Sequence, residues 1–158
     1  MEIEIIEINA KILVGMVETM SGKNNLTGKL FSNFMPRRKE IENSLKPNVF
    51  DVRVYPKDYF KSGYNPTLLF EKWAVMEVDV IKEVPKGMQA LTVPTGKYAV
   101  FTVPNNNDTA IFQYIFTEWL PTSKFILDNR PHIDEFDENA IAKRPNAMQR
   151  IMIPIRQK

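Results

Sequence analysis

The chain has 158 residues, of which 44% are hydrophobic and 25% are charged, a composition typical of one soluble globular domain. The absence of cysteine excludes disulfides and zinc–thiolate sites, and the single histidine excludes a metal site built on several histidines of one chain. The 21 basic and 19 acidic residues leave a net charge of +2 and are spread along the chain, unlike those of a typical nucleic-acid binder. We therefore expect no cofactor, no metal and no direct binding to DNA.

The amino-terminal residues are acidic and alternate with apolar ones, whereas a signal peptide begins with basic residues and continues as a uniformly apolar run. No stretch approaches the roughly 18 apolar residues that a membrane span needs. These features predict a cytoplasmic protein with no membrane partner.

In the first half of the chain, apolar residues follow the spacing of a strand in some segments and the spacing of a helix in another. Residues 2–14 alternate charged with apolar side chains and end in an apolar run, which predicts a strand that becomes more buried along its length. Apolar residues then follow helical spacing from Leu26 to Phe34, and Pro36 stops or kinks the helix. The β-branched and aromatic residues 49–55 and the run 70–81 predict two further strands.

The second half repeats this order. Residues 97–103 predict a strand, residues 105–108 carry helix-capping side chains, and residues 110–120 have the apolar spacing of a helix. Two extended segments follow at 133–137 and 151–155.

The two halves are also locally similar, since residues 11–16 resemble residues 97–102. We therefore expect one α+β domain over 1–158, made of duplicated βαββ modules over about 1–85 and 86–158. Pseudo-two-fold symmetry would relate these modules and their antiparallel sheets. Contacts between structural units are preferred places for ligand pockets, so the cleft between the halves is the predicted binding site.

The predicted helix 110–120 carries one acid at the edge of its apolar face. Glu118 lies beside Ile111 and Trp119 on a helical wheel. Partial desolvation would make this carboxyl a proton donor or a receptor for a cationic ligand. The alternative is a half-exposed surface glutamate.

A second group of acids lies in the predicted strand 133–137. Strand alternation sends Asp134 and Phe136 to one face and Glu135 to the other. His132 shares the face of Asp134, which allows a His–Asp pair, although an exposed histidine near a turn is the simpler interpretation.

Aromatic residues with polar tips suit the wall of a pocket, because they are apolar but can still donate a hydrogen bond. Trp73 and Glu77 share one strand face and form a further acid–aromatic candidate pair. If several rings surround one acid in a cavity, a lipophilic cation is an attractive ligand. The remaining aromatic candidates, which could equally be core residues, are Phe34, Tyr55, Tyr98, Tyr114 and Trp119.

Several segments, in order along nearly the whole chain, resemble the GyrI-like, AraC-type effector-binding domain family of bacteria. The most specific are residues 97–103 followed by 115–123, which contain Glu-Trp-Leu-Pro after a tyrosine-bearing strand. Residues 30–34, 50–52 and 151–155 support them. The resemblance implies a duplicated βαββ fold with a ligand cleft between the halves.

The resemblance leaves the function open, because the family includes drug-sensing domains of transcription regulators, DNA gyrase inhibitory proteins and stand-alone proteins, some of them hydrolases of cyclopropane-bearing toxins. The family often places a glutamate two residues before a tyrosine on the penultimate strand, and Asp134 and Phe136 stand at the matching positions. The acid is shortened and the hydroxyl is lost, which favours binding over proton transfer. A local bulge would instead turn Glu135 inward.

Three hypotheses follow. The first is a stand-alone, multidrug-binding type of effector sensor or sequestering protein for a lipophilic molecule, cationic or aromatic, with Asp134 and Glu118 in its pocket. The second is a hydrolase of a reactive electrophile, with Tyr98 or Tyr114 as proton donor. The third is a protein-interaction module that contacts gyrase or a transcription regulator through an exposed acidic segment at 134–138. Because no residues remain for a helix-turn-helix module, control of transcription would need such a partner.

Overall fold

A computed structural model describes residues 1–106 and 109–158. Its described residues form nine strands, all paired antiparallel. The strands are β1 (Glu2–Ile8), β2 (Lys11–Met20), β3 (Val49–Val54), β4 (Phe70–Val78), β5 (Gln89–Val93), β6 (Gly96–Pro104), β7 (Phe125–Leu127), β8 (His132–Phe136) and β9 (Met148–Gln157).

The order of the strands is symmetric about the centre of the sheet. Neighbouring strands are hydrogen-bonded in the order β1-β6-β9-β8-β3-β4-β2-β5, and β7 pairs with β9 outside this path. The central pair is β3 and β8, one from each half of the chain, and equivalent strands follow outward on both sides. The predicted α+β fold of two similar modules is thus confirmed, with both modules in one continuous sheet.

The strands differ from the predicted ones in two respects. Residues 2–14 form two strands, because the chain turns at Asn9 and Ala10 and sends β1 to β6 but β2 to β4 and β5. The short strands β5 and β7 were not predicted. The backbone N–H of Ala10 donates to Oγ1 of Thr95 over 3.0 Å, so the turn after β1 contacts the turn after β5.

The helical segments follow β2 and β6. The first is α1 (Thr27–Phe34), which Pro36 converts into a 3-10 helix (Met35–Glu40). The second begins as α2 (Ala110–Tyr114), widens into a π-helix (Ile115–Trp119) and ends as α3 (Leu120–Thr122), while α4 (Glu138–Ile141) follows β8. The predicted caps at Asn107 and Asp108 lie outside the described residues. None of the helices in the described ranges is long and apolar enough to cross a membrane.

The sheet separates three groups of buried apolar side chains. One face covers a core to which both halves contribute, among them Leu13, Val75, Tyr98 and Met152. The other face carries the helices. On it, α1 buries Leu30 and Phe34 against β2 and β4, with Val14, Ala74 and Met76. The π-helix buries Ile115 against β6 and β9, with Phe101, Ile151 and Ile153.

Candidate ligand cleft

A cleft lies on the helical face of the sheet, between the α1 side and the α2 side, and its floor is formed by β3 and β8. Val49 of β3 packs in the α1-side core, while Ile151, the cross-strand partner of Asp134, packs in the α2-side core. Because alternate residues of a strand share a face, Asp51 and Arg53 of β3 and Asp134 and His132 of β8 point to this floor. Asp51 is paired directly with Asp134 and Arg53 with His132.

Charged side chains form a network at one end of the floor. Arg53 donates from Nη1 to Oδ1 of Asp51 and from Nη2 to Oδ1 of Asp134, and both distances are 3.1 Å. Nζ of Lys72, on β4, lies 3.3 Å from Oδ2 of Asp51. Asp51, Arg53 and Asp134 are all buried. Such a network is held together because any one of these charges would be costly to bury without its partners.

The network shifts the pKa of its members in ways that follow from burial and charge. Burial by itself lowers the pKa of Arg53, but the carboxylates of Asp134 and Asp51 outweigh it and raise that pKa, so the guanidinium stays charged. Burial raises the pKa of Asp134; Arg53 opposes this shift and the nearby carboxylate of Asp51 adds to it.

Above this end of the floor lies an open cavity of about 700 Å³. That volume is in the range of small-molecule binding sites. Lys72 and Asp134 reach its floor, Phe112 of α2 and Phe136 of β8 supply apolar walls, and amide and hydroxyl side chains surround them. The lining residues are Asn25, Thr27, Lys72, Val103, Pro104, Asn106, Thr109, Ala110, Ile111, Phe112, Asp134, Phe136 and Gln149.

Aromatic rings fill the other end of the cleft. Phe60, in the turn after β3, stacks on Phe116 of the π-helix at 5.9 Å and on His132 at 5.8 Å between ring centroids. Tyr55 lies 4.9 Å from Phe60 and 5.2 Å from Phe70. Phe60 therefore joins the α2 side to β3 and β4 across the cleft, and beside it remains a smaller cavity of about 260 Å³.

His132 is part of this aromatic end. Its side chain is buried, and its ring meets Tyr55 edge-on at 4.9 Å. Burial, with the positive charges of Arg53 and Arg130, lowers the pKa of His132 well below 6.5, so the imidazole is neutral at neutral pH. The prediction of an exposed histidine was wrong, because β8 is a central strand rather than part of a turn.

Three of the predicted site residues line the cleft. Asp134 and Phe136 share a face and line the larger cavity, as strand alternation predicted. Tyr55 lines the smaller one. Their role in binding stays a prediction.

Three others lie on the opposite face of the sheet. Trp73 and Tyr98 are buried in the core that both halves share, and the Tyr98 hydroxyl donates to the carbonyl of Pro131 over 2.8 Å. Burial raises the pKa of Tyr98 to about 12. Glu77 is in a salt bridge with Lys11 at 3.3 Å. The expectation that these side chains wall the cleft is corrected, since strand alternation turns them away from it.

The remaining candidates lie on or near the helices. Glu118 is exposed on the π-helix, so the expected desolvation of this carboxyl is corrected. Trp119 packs edge-on against Phe101 at 5.1 Å, Tyr114 is half-buried in the α2-side core, and Phe34 is fully buried in the α1-side core. None of the four lines the larger cavity among the described residues.

The acidic segment 134–138 is not the exposed loop that a protein-binding site would need. Asp134 and Glu135 are buried in β8, and Glu135 accepts hydrogen bonds from Lys46 and Asn48 and pairs with Arg150 on the face opposite the cleft. Exposure begins only at Asp137, whose side chain caps α4 by accepting from the N–H of Ala140 over 2.9 Å.

Residue patterns did not identify four important members of the cleft. Arg53 and Asp51 alternate within an otherwise apolar strand, which is a usable signal, because a buried strand carries charges only where they find partners. Lys72 and Phe60 gave no such signal, since their neighbours in the cleft come from other strands and helices.

Comparison with known proteins bears on the family and the fold of the chain. The family model of the GyrI-like small molecule binding domain matches residues 1–156. The transcriptional regulator BrlR of Pseudomonas aeruginosa is 34% identical over 102 residues, which are 65% of this chain and 35% of BrlR. The chain thus spans about a third of the length of this relative.

Two solved structures share the fold. The C-terminal domain of EcmrR has a TM-score of 0.72 at 13% identity, over 99% of this chain and 98% of that domain. SAV2435, whose structure was solved bound to tetraphenylphosphonium, has a TM-score of 0.68 at 15% identity, over 99% of this chain and 94% of its own. At these identities the similarity concerns the fold alone.

Proposed function

The chain belongs to the GyrI-like small molecule binding domains, and from this premise we propose that it binds a lipophilic, aromatic small molecule in the cleft between α1 and α2, as an effector sensor or a sequestering protein. The proposal is supported mainly by the cavity of about 700 Å³, which has apolar side chains at its sides and buried, hydrogen-bonded charges at its floor. Pockets of this kind combine apolar area for affinity with a few placed polar groups for orientation.

The apolar contacts in this proposal come from Phe112, Ile111 and Phe136, which belong to two different elements. Rings on both sides of a ligand favour flat or multiply arylated molecules, because each aromatic pair adds roughly 0.5–1.5 kcal/mol beyond its area burial. Asp134 and Lys72 would contact the polar part of the ligand, one as acceptor and one as donor. Tyr55 and Phe60 would limit its length at the aromatic end.

An effector sensor acts through a protein or domain that responds to its ligand-bound state. The similarity to the transcriptional regulator BrlR indicates which kind of protein this is. We propose that ligand binding is read by a transcription regulator, either as a partner protein or within a longer chain. The cleft suits this role because its floor joins the two halves at β3 and β8, so a bound molecule contacts both.

Binding of three related phenyl compounds tests the proposal: tetraphenylphosphonium as a cation, tetraphenylborate as an anion and triphenylphosphine oxide as a neutral molecule. A ligand that binds only the folded state raises the melting temperature, and the rise grows with the ratio of the ligand concentration to the dissociation constant. We expect at least one compound to do so, and Phe112→Ala to weaken its binding about tenfold, as loss of one aromatic contact would.

Tyr114→Ala is the matched control, because Tyr114 lies on the same helix, is also half-buried and does not line the cavity. It should lower the melting temperature without changing the dissociation constant. If none of the three compounds binds, the proposed function fails. If both variants weaken binding equally, the cleft is not the binding site.

The hydrolase hypothesis receives no support from the cleft. A general acid must reach the substrate. Tyr98 lies on the opposite face, where its hydroxyl donates to Pro131, and Tyr114 does not line the larger cavity. The floor acid Asp134 is paired with Arg53. We therefore propose binding without turnover.

A further inference from the structure

We propose that Lys72 sets the charge preference of the cleft, by cancelling its acids so that the site prefers aromatic molecules with an anionic group over cations. This inference deepens the proposed function and rests on it. It differs from the expectation drawn from Asp134 alone, for which a lipophilic cation was the attractive ligand.

The charges in the floor of the cleft balance one another. Asp51 and Asp134 bring two negative charges, and Arg53 and Lys72 bring two positive ones within 3.3 Å of them. The network therefore carries no net negative charge. Protonation of Asp134 would make the net charge of the network positive. In either protonation state of that carboxyl, the network therefore offers a cation no unbalanced negative charge.

Neighbouring charges on the same face do not change this balance. Glu18 of β2, the cross-strand partner of Lys72, is itself in a salt bridge with Lys29 of α1 at 3.6 Å. Further along the floor His132 is neutral, because its pKa is lowered by burial. Among the described residues that line the larger cavity, Lys72 and Asp134 are the charged ones.

Of the two cations in the floor, Lys72 is the one that lines the cavity and that a ligand can reach. Arg53 uses both terminal nitrogens on the acids and lies over the ring of Phe112 at 5.9 Å, so it is held within the floor. Lys72 is held only by Asp51 among the described residues, and it lines the cavity. An ammonium has three donors on a flexible stem, so Lys72 can keep Asp51 and also donate to a ligand carboxylate or sulfonate.

Removal of this one charge should therefore reverse the preference. Without Lys72 the floor has two acids for one guanidinium, so its charge becomes one unit more negative than in the wild-type protein. In a partly buried site, a unit of charge a few ångströms from a ligand ion changes the binding constant by roughly tenfold or more. The binding constants of anions should fall by that factor, and those of cations should rise by it.

The test measures dissociation constants of tetraphenylborate and tetraphenylphosphonium by calorimetry in a sodium buffer. The two ions have nearly the same shape and opposite charge. We expect the wild-type protein to bind the borate at least as tightly as the phosphonium, and Lys72→Met to bind the phosphonium at least tenfold more tightly than the borate.

Two further variants control the experiment. Lys11→Met removes a similarly protected lysine that pairs with Glu77 on the opposite face, and it should leave the ratio of the two constants unchanged. Lys72→Arg retains the charge and should retain the wild-type ratio, even if the altered geometry reduces stability.

A wild-type protein that binds the phosphonium more tightly than the borate would overturn the inference while leaving the proposed function in place. The same holds if Lys72→Met leaves the ratio as it was, or shifts it no more than Lys11→Met. If neither ion nor the neutral oxide binds, the proposed function falls, and the charge preference with it.

Discussion

The two ends of the cleft lie on the same pair of strands but are held together by different kinds of interaction. At the Asp51–Asp134 end, opposite charges bridge β3, β4 and β8, and the space above them is open. At the Tyr55–His132 end, stacked rings bridge the strands to the π-helix and occupy the space. The comparison indicates that ionic contacts can join the halves while leaving a cavity, whereas ring contacts join them by filling it.

The largest expected effect comes from breaking the charged end. Arg53→Met removes the cation shared by Asp51 and Asp134 and leaves buried carboxylate without a full partner, so the free energy of unfolding should fall by about 3–5 kcal/mol. Urea denaturation of the variant measures this fall.

Asp134→Asn in the Arg53→Met background should recover part of the loss, because the second change removes one of the uncompensated charges. A loss below about 1 kcal/mol in the single variant would contradict the view that the network holds this end together.

The aromatic end should respond less. Phe60 contacts four neighbouring rings, but its side chain is 42% exposed, so Phe60→Ala should lower the free energy of unfolding by about 2 kcal/mol. The same change should lengthen the cavity and allow larger aromatic ligands to bind, which calorimetry with ligands of increasing length would detect.

Tyr64→Ala is a suitable comparison, since Tyr64 belongs to the same segment and is 80% exposed. If both variants have the same stability and bind the same ligands, Phe60 neither joins the two sides of the cleft nor limits the length of the cavity.

The smallest effect concerns His132 and depends on pH. The folded-state pKa of His132 is depressed below its ordinary value of 6.5, so its contribution to stability is intact above 6.5 and is lost as pH falls from there towards the folded pKa. Between about pH 7.5 and pH 5.5, the wild-type protein should lose about 1.4 kcal/mol more than His132→Phe, which keeps a ring but cannot be protonated.

This difference between the two proteins isolates the histidine, because the titration of Asp134 is common to both. Denaturation profiles that stay parallel over the range would show that His132 binds a proton as readily in the folded state as in the unfolded state, against the lowered pKa.

Much of the fold was predictable because short-range periodicity reports whether a segment is a strand or a helix. The central strands β3, β4, β6, β8 and β9 and the helices that follow β2 and β6 were identified in this way. The separation of β1 from β2 was not, since alternation describes which side chains are buried and does not name the partner strand. The strand β5 was not predicted because it is short and mostly exposed, with Val93 as its one buried residue, so its alternation is weak.

The candidate site was also predictable only in part. Asp134 and Phe136 were placed on one face by alternation alone, a rule that holds within any single strand. Trp73 and Glu77 were also correctly placed together, but which face of the sheet forms the cleft depends on where the helices pack. Hence these two residues were assigned to the wrong side.

The amino-acid sequence by itself determined the types of the elements, the duplicated order, the family and the side chains that share a strand face. Tertiary structure decided that β3 lies beside β8, which brings Arg53 within hydrogen-bonding distance of Asp134, 81 residues further along the chain. The physical reason is that strand pairing is selected by the packing of the whole sheet, so the partner of a buried charge is not specified by its neighbours in sequence.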